Sequence, residues 1–344
     1  MKSYTGNYFE DFHVGMEIIH ATPLTVSEGD ISLYRALTGS RHAIFSSVPF
    51  ATANGFDRMP LDPLLAFHVV FGKTVPDISL NAVANLGYAE GRFPIGVYPG
   101  DTLRAVSNVI GVKQNSNGKT GVVWVRTRGL NQNDEEVMSY VRWVMVHKRD
   151  AASPAPDPVV PQLLDAVPAA DFEVSWSYEN WNDDLAGSPH RFGDYEIGEK
   201  IDHVDGMTVE EAEHQIATRL YQNTAKVHFD AHAQKDSRFG KRLIYGGVVI
   251  SIARALSFNG LANAAEMMAI NGGTHAGPLF AGDTVYAWSE ILDKAQLSDT
   301  VGALRLRLVA TKNHPCTDFP LRDDAGKYQS DVLLDFDYWA AIPI

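Results

Sequence analysis

At 344 residues, with 45% hydrophobic and 21% charged, the chain has the size of two ordinary domains and enough apolar material for two cores. Its formal net charge of −13 argues against nucleic acid as a partner, which would need a concentrated basic face. A single cysteine, Cys316, excludes an internal disulfide framework.

The N-terminal residues lack the apolar core of a signal peptide. No apolar run reaches the length of a membrane span, and the best, 248–256, holds Arg254. A cytoplasmic protein with no membrane contact is therefore expected. Residues 9–15, Phe-Glu-Asp-Phe-His-Val-Gly, return at 192–198 as Phe-Gly-Asp-Tyr-Glu-Ile-Gly. At the same offset of 183 residues, Ile18 meets Ile201, His20 meets His203, Thr25 meets Thr208 and Glu28 meets Glu211. A helix is expected over 25–37, where Thr25 and Glu28 have the spacing of a capping box. A second, apolar helix over 63–71 starts at Pro63, a residue suited to a first helical turn. The turn Gly100-Asp101-Thr102 leads into strand-like runs at 102–113, 120–128 and 137–147, rich in valine, threonine and aromatics.

Proline-dense residues 152–161 read as an extended linker. The pattern then repeats. Helices are expected at 208–221 and 247–264, the turn recurs as Gly282-Asp283-Thr284, and strands follow at 284–291, 302–311 and 329–338. So long a period marks a duplicated domain rather than a solenoid unit. The expected organisation is a first domain at 1–150, a linker at 151–188 and a second domain at 189–344. Each is α+β, with antiparallel strands wrapped around a buried helix.

The segment Tyr221-Gln222-Asn223-Thr224-Ala225-Lys226-Val227-His228-Phe229-Asp230, with Gly246 eighteen residues beyond the histidine, resembles the active-site segment of the MaoC-like, (R)-specific enoyl-CoA hydratase family. The spacing of His228, Asp230 and Gly246 and the two Gly-Asp-Thr turns carry the resemblance. It implies a tandem hot-dog fold and a hydratase acting on an acyl-CoA thioester, with CoA as part of the substrate and no metal or redox cofactor. The linker and the run Asn259-Gly260-Leu261-Ala262-Asn263 extend the likeness to a branch whose substrate carries an extra carboxylate. A homo-oligomer is expected on the same basis.

The family's catalytic aspartate position holds Asn223, which can hydrogen-bond a water but cannot take up a proton at neutral pH. That leaves His228 as the titratable group, with a reference pKa near working pH. By the resemblance the Gly246 amide would hold the thioester oxygen, with Gly247 beside it at the helix start. Arg238, Lys241 and Arg242 are candidates for CoA phosphates or a substrate carboxylate, and Arg41 for reaching the pocket from the first half. That half has Ser40, Phe45 and Pro63 where the second has Asn223, His228 and Gly246, so it is expected to be catalytically degenerate and to wall the acyl pocket. A thioesterase and a non-catalytic acyl-CoA-binding protein are the alternative readings, which release of free thiol or binding without turnover would reveal.

Overall fold

The computed structural model describes residues 2–344. The first lobe runs β1 (Glu17–Thr25), α1 (Glu28–Thr38), α2 (Val48–Ala53), α3 (Pro63–Thr74), β2 (Ala82–Arg92), β3 (Thr102–Gln114), β4 (Thr120–Leu130) and β5 (Glu136–His147). After the linker and the short α4 (Asp183–Ala186), the second lobe repeats the plan. It contains β6 (Lys200–Thr208), α5 (Glu211–Leu220), α6 (Lys226–Phe229), α7 (Gly246–Leu256), α8 (Phe258–Leu261), β7 (Glu266–His275), β8 (Thr284–Gln296), β9 (Val301–Lys312) and β10 (Val332–Pro343). The strands form one antiparallel sheet in the order β1-β3-β4-β5-β2-β7-β10-β9-β8-β6. The lobes thus join edge to edge through β2 and β7, where Tyr88 opposes Gly273 and Arg92 opposes Ala269. This is the expected α+β tandem hot-dog fold.

The central helices α3 and α7 belong to one apolar core, to which α3 contributes Leu64, Phe67 and Val70 and α7 contributes Val249, Ile252 and Leu256. Deep in that core, His68 Nε2 lies 2.8 Å from Ser251 Oγ, and the Tyr34 hydroxyl donates to the same oxygen at 3.0 Å. His68 and Ser251 are 183 residues apart, so they occupy equivalent places on the two helices. The repeated His20 and His203 are also structural. Each lies 2.8 Å from a serine hydroxyl one strand over, Ser107 and Ser289 respectively.

Two local expectations change. Thr25 and Thr208 do not cap helices; they end β1 and β6, and each bonds the first threonine of a neighbouring strand, Thr102 at 2.8 Å and Thr284 at 2.7 Å. The capping boxes belong instead to Ser27 with Asp30 and to Glu210 with Glu213. The helix expected over 247–264 breaks at Asn259 and Gly260, the latter with φ of 101°, a backbone region that favours glycine. No helix among the described residues is long and apolar enough to cross a membrane.

Candidate active site

The two central helices begin differently. Asp62 caps α3, its carboxylate accepting from the Leu64 amide at 2.9 Å, and Pro63 brings no N–H. At α7 no side chain caps the first turn, so the Gly246 and Gly247 amides have no partner among the described residues. An uncapped helix start presents N–H groups and the positive end of the helix dipole to a ligand. Gly246 borders a cavity of about 340 Å³ between the lobes, and Gly247 is buried one residue deeper.

His228 on α6 and Asn223 just before it face the same cavity. His228 Nδ1 lies 3.0 Å from the Leu243 carbonyl. A carbonyl only accepts, so Nδ1 carries the proton and Nε2 keeps its lone pair. Burial pulls the imidazole down to about 4, so it is neutral near pH 7 and able to accept a proton. Asn223 is buried, and its Oδ1 accepts from the Ala225 amide at 3.1 Å. Its amide nitrogen is left to donate. The ring of His214 stands perpendicular to that of His228 at 6.3 Å, and His214 Nε2 accepts from the Tyr245 amide at 3.0 Å, bracing the chain as it enters α7.

Three cavity residues escaped the sequence reading. His275, at the end of β7, lies with Nε2 3.1 Å from the Tyr88 hydroxyl of β2. Burial first, then the neighbouring His228, lowers its pKa to about 4. The third is Arg142 on β5, fully buried at the cavity wall. Tyr88, Arg142 and Phe71 come from the first lobe, so that lobe does form part of the cavity wall. A Cβ at Gly246 would stand 2.4 Å from the His275 ring. Gly246→Ala should therefore push His275 off Tyr88 and lower turnover by about 10²-fold, with the thermal midpoint nearly kept. Wild-type turnover in that variant would remove the reason for glycine there.

The expected cations divide. Arg238 and Lys241 are exposed at the rim, over the rings of Phe239 (5.2 Å) and Phe280 (4.2 Å), and Phe239 lines the cavity. Arg242 does not face the ligand space. It is buried, and its guanidinium is taken by Glu211 and Gln215 of α5. Arg41 lies over Phe258 at 4.5 Å in a separate cleft with His190 and Asp205. In the first lobe, Phe45 is packed in a second apolar cluster.

The buried and half-buried imidazoles have a consequence for stability. His68 and His214 are lowered to about 3, and His203, His228 and His275 to about 4, chiefly by burial. Unfolded histidine binds its proton below about 6.5, whereas these stay neutral in the fold until pH 3 to 4. Stability is therefore full above pH 6.5 and falls below it, by up to about 1.4 kcal/mol per group per pH unit. Glu266, raised to about 8 by burial, and Asp62, also raised by burial, oppose this with one proton each. Urea midpoints should drop steeply from pH 7 to pH 5; equal midpoints would mean the imidazoles are protonated in the fold.

A family model described as mesaconyl-CoA hydratase matches residues 2–316. The chain is 63% identical to a mesaconyl-CoA hydratase of Cereibacter sphaeroides, over the full length of both. It is 60% identical to a beta-methylmalyl-CoA dehydratase of Chloroflexus aurantiacus, over 99% of this chain and 98% of that one. A crystal structure of a putative MaoC domain dehydratase from Chloroflexus aurantiacus superposes with a TM-score of 0.98 at 59% identity, covering 100% and 99% of the two chains. A Mycobacterium tuberculosis protein described as a double hot-dog fold follows at 0.80 and 25% identity, with 99% of each chain covered.

Proposed function

The chain belongs to the mesaconyl-CoA hydratase family, and on that premise we propose that it adds water to mesaconyl-CoA, giving β-methylmalyl-CoA, and catalyses the reverse dehydration. The observation that carries the proposal is the pairing of a neutral His228, protonated on Nδ1, with the free Gly246 amide on one cavity.

Mesaconyl-CoA is a thioester conjugated to a double bond, electrophilic at its β-carbon. His228 Nε2 takes a proton from a water that the Asn223 amide nitrogen holds, and the water oxygen bonds to the β-carbon. The electron pair moves to the thioester oxygen, where the Gly246 N–H and the dipole of α7 stabilise the enolate. The proton on His228 then passes to the α-carbon from the same face. Water addition leaves the oxidation balance unchanged, so the reaction itself calls for no redox cofactor, and CoA arrives as part of the substrate. Arg238 and Lys241 at the rim suit the CoA phosphates. A cytoplasmic location and a homo-oligomeric state belong to the same proposal; light scattering on the purified protein reads the second.

The test is incubation with mesaconyl-CoA, followed by enoyl-thioester absorbance and product mass. Loss of absorbance with the gain of one water and no free thiol is expected. Release of free CoA would instead make the protein a thioesterase.

A further inference from the structure

Arg142 is a buried cation without a counter-ion. Its Nη2 donates to Thr74 Oγ1 at 2.8 Å and to Ser79 Oγ at 3.4 Å, but Nε and Nη1 have no partner among the described residues. No carboxylate among the described residues lies in salt-bridge reach; burial acts first on its charge, and then the phenols of Tyr140, Tyr88 and Tyr245. The guanidinium sits 4.3 Å from the centre of the Phe71 ring. Guanidinium keeps its proton in proteins, so burial cannot be relieved by neutralisation. Burying an unpaired charge is strongly unfavourable, and packing alone does not explain it.

The repeat supplies an internal control. Arg254 stands 183 residues after Phe71, and it lies 5.6 Å from the ring of Tyr338 on β10. In one lobe the cation is on the strand and the ring on the helix; in the other the places are exchanged. Arg254 is satisfied, donating to His42, Ser257 and the carbonyls of Ala264 and Ala265. Arg142, the one beside the cavity, keeps open donors. Asn85 and Tyr245 line the same cavity, and neither the Asn85 amide nor the Tyr245 hydroxyl has a partner among the described residues.

We infer that Arg142, with Asn85 and Tyr245, forms the subsite that binds the free carboxylate of the substrate. This rests on the hydratase reading for the identity of the acyl group. In mesaconyl-CoA that carboxylate is attached to the carbon that receives the hydroxyl. Holding it orients the reacting carbon, and its negative charge no longer opposes the charge building on the enolate. With Nη2 held by Thr74 and Ser79, an open N–H of the guanidinium supplies one charge-assisted hydrogen bond to the carboxylate, and the Asn85 amide nitrogen and the Tyr245 hydroxyl supply further donors. The exposed cations at the rim cannot supply this, because a carboxylate on the β-carbon enters with the acyl group.

The experiment compares mesaconyl-CoA with tiglyl-CoA, which has a methyl group in place of the carboxylate. The wild type should favour mesaconyl-CoA by about 10²-fold or more in kcat/KM. Arg142→Met should lose about that factor on mesaconyl-CoA while tiglyl-CoA changes less than about threefold, and Arg142→Lys should fall between. Equal losses on both thioesters, or a wild type that treats them alike, would overturn the subsite. If Arg142→Met does not fold, Arg142→Lys and the wild-type preference still decide. Calorimetric titration of His228→Gln, with and without the Arg142 change, reads recognition apart from turnover. Selective loss of mesaconyl-CoA affinity supports the subsite, and equal affinity for both ligands rejects it. Absence of wild-type turnover with intact selective binding would count against the hydratase reading alone.

Discussion

Replacing His228 with glutamine should lower kcat/KM for hydration by about 10³-fold or more, with the fold retained. A positioned acid–base group contributes about 10²- to 10⁴-fold, and here one imidazole serves as base and then as acid. Asn223 cannot take over the proton, and glutamine is polar enough to sit in the half-buried place without a hole. Replacement of Asn223 by alanine should cost less, because it removes only the donor that holds the water. Near-normal turnover by His228→Gln, measured by the fall in enoyl-thioester absorbance, would require another residue of the cavity to act as the base, and His275 would be the first to examine.

Gly72→Ala should be the most damaging single change to the fold. Gly72 lies on α3 against the backbone of the second lobe, and a Cβ there would stand 1.7 Å from the Tyr221 carbonyl oxygen. A side chain can turn away from such a clash, but a backbone carbonyl can retreat only by moving α3 or residues 221–222. Neighbouring Lys73 donates to Gln222 Oε1 at 3.1 Å, so this contact sets the chain just before Asn223. Overpacking costs typically about 1–3 kcal/mol and sometimes more; with backbone as the obstacle, about 3 kcal/mol or more is expected. Misplacing Asn223 should also lower kcat. A urea midpoint and turnover close to wild type would show that α3 and this segment can separate freely.

Much of the architecture was legible because duplication wrote it twice. The Gly-Asp-Thr turns and the valine-rich runs after them mark β3 to β5 and β8 to β10, and the apolar runs mark α3 and α7. The strands that join the lobes were not legible. β2 reads Ala-Val-Ala-Asn-Leu-Gly-Tyr-Ala-Glu-Gly-Arg and β7 reads Glu-Met-Met-Ala-Ile-Asn-Gly-Gly-Thr-His, with few of the β-branched residues that betray a strand. Close packing demands this composition. A Cβ at Gly91 would meet Ile270 at 2.7 Å, and one at Gly87 would meet Trp143 at 2.3 Å. Thr25 and Thr208 misled because their partners, Thr102 and Thr284, lie far along the chain, whereas a capping box is read from four residues.

The site divides along the same line. His228, Asn223 and Gly246 stand in one segment with a recognisable spacing, and all three border the cavity. His275, Tyr88 and Arg142 reach it from β7, β2 and β5, and only strand register brings them together. The basic cluster at 238–242 suggested three equivalent cations. One of them, Arg242, is bound to Glu211, while Arg142, isolated in a strand, gave no local sign of its burial.

In the proposed mechanism one imidazole, that of His228, moves the proton in both halves of the reaction. Hydrating mesaconyl-CoA in D₂O and determining the relative configuration of the new hydroxyl and the new deuterium reads this transfer. Syn addition is expected, with both on the face that meets His228. Anti addition would contradict it, since the proton would then have to come from a second group on the opposite side of the substrate.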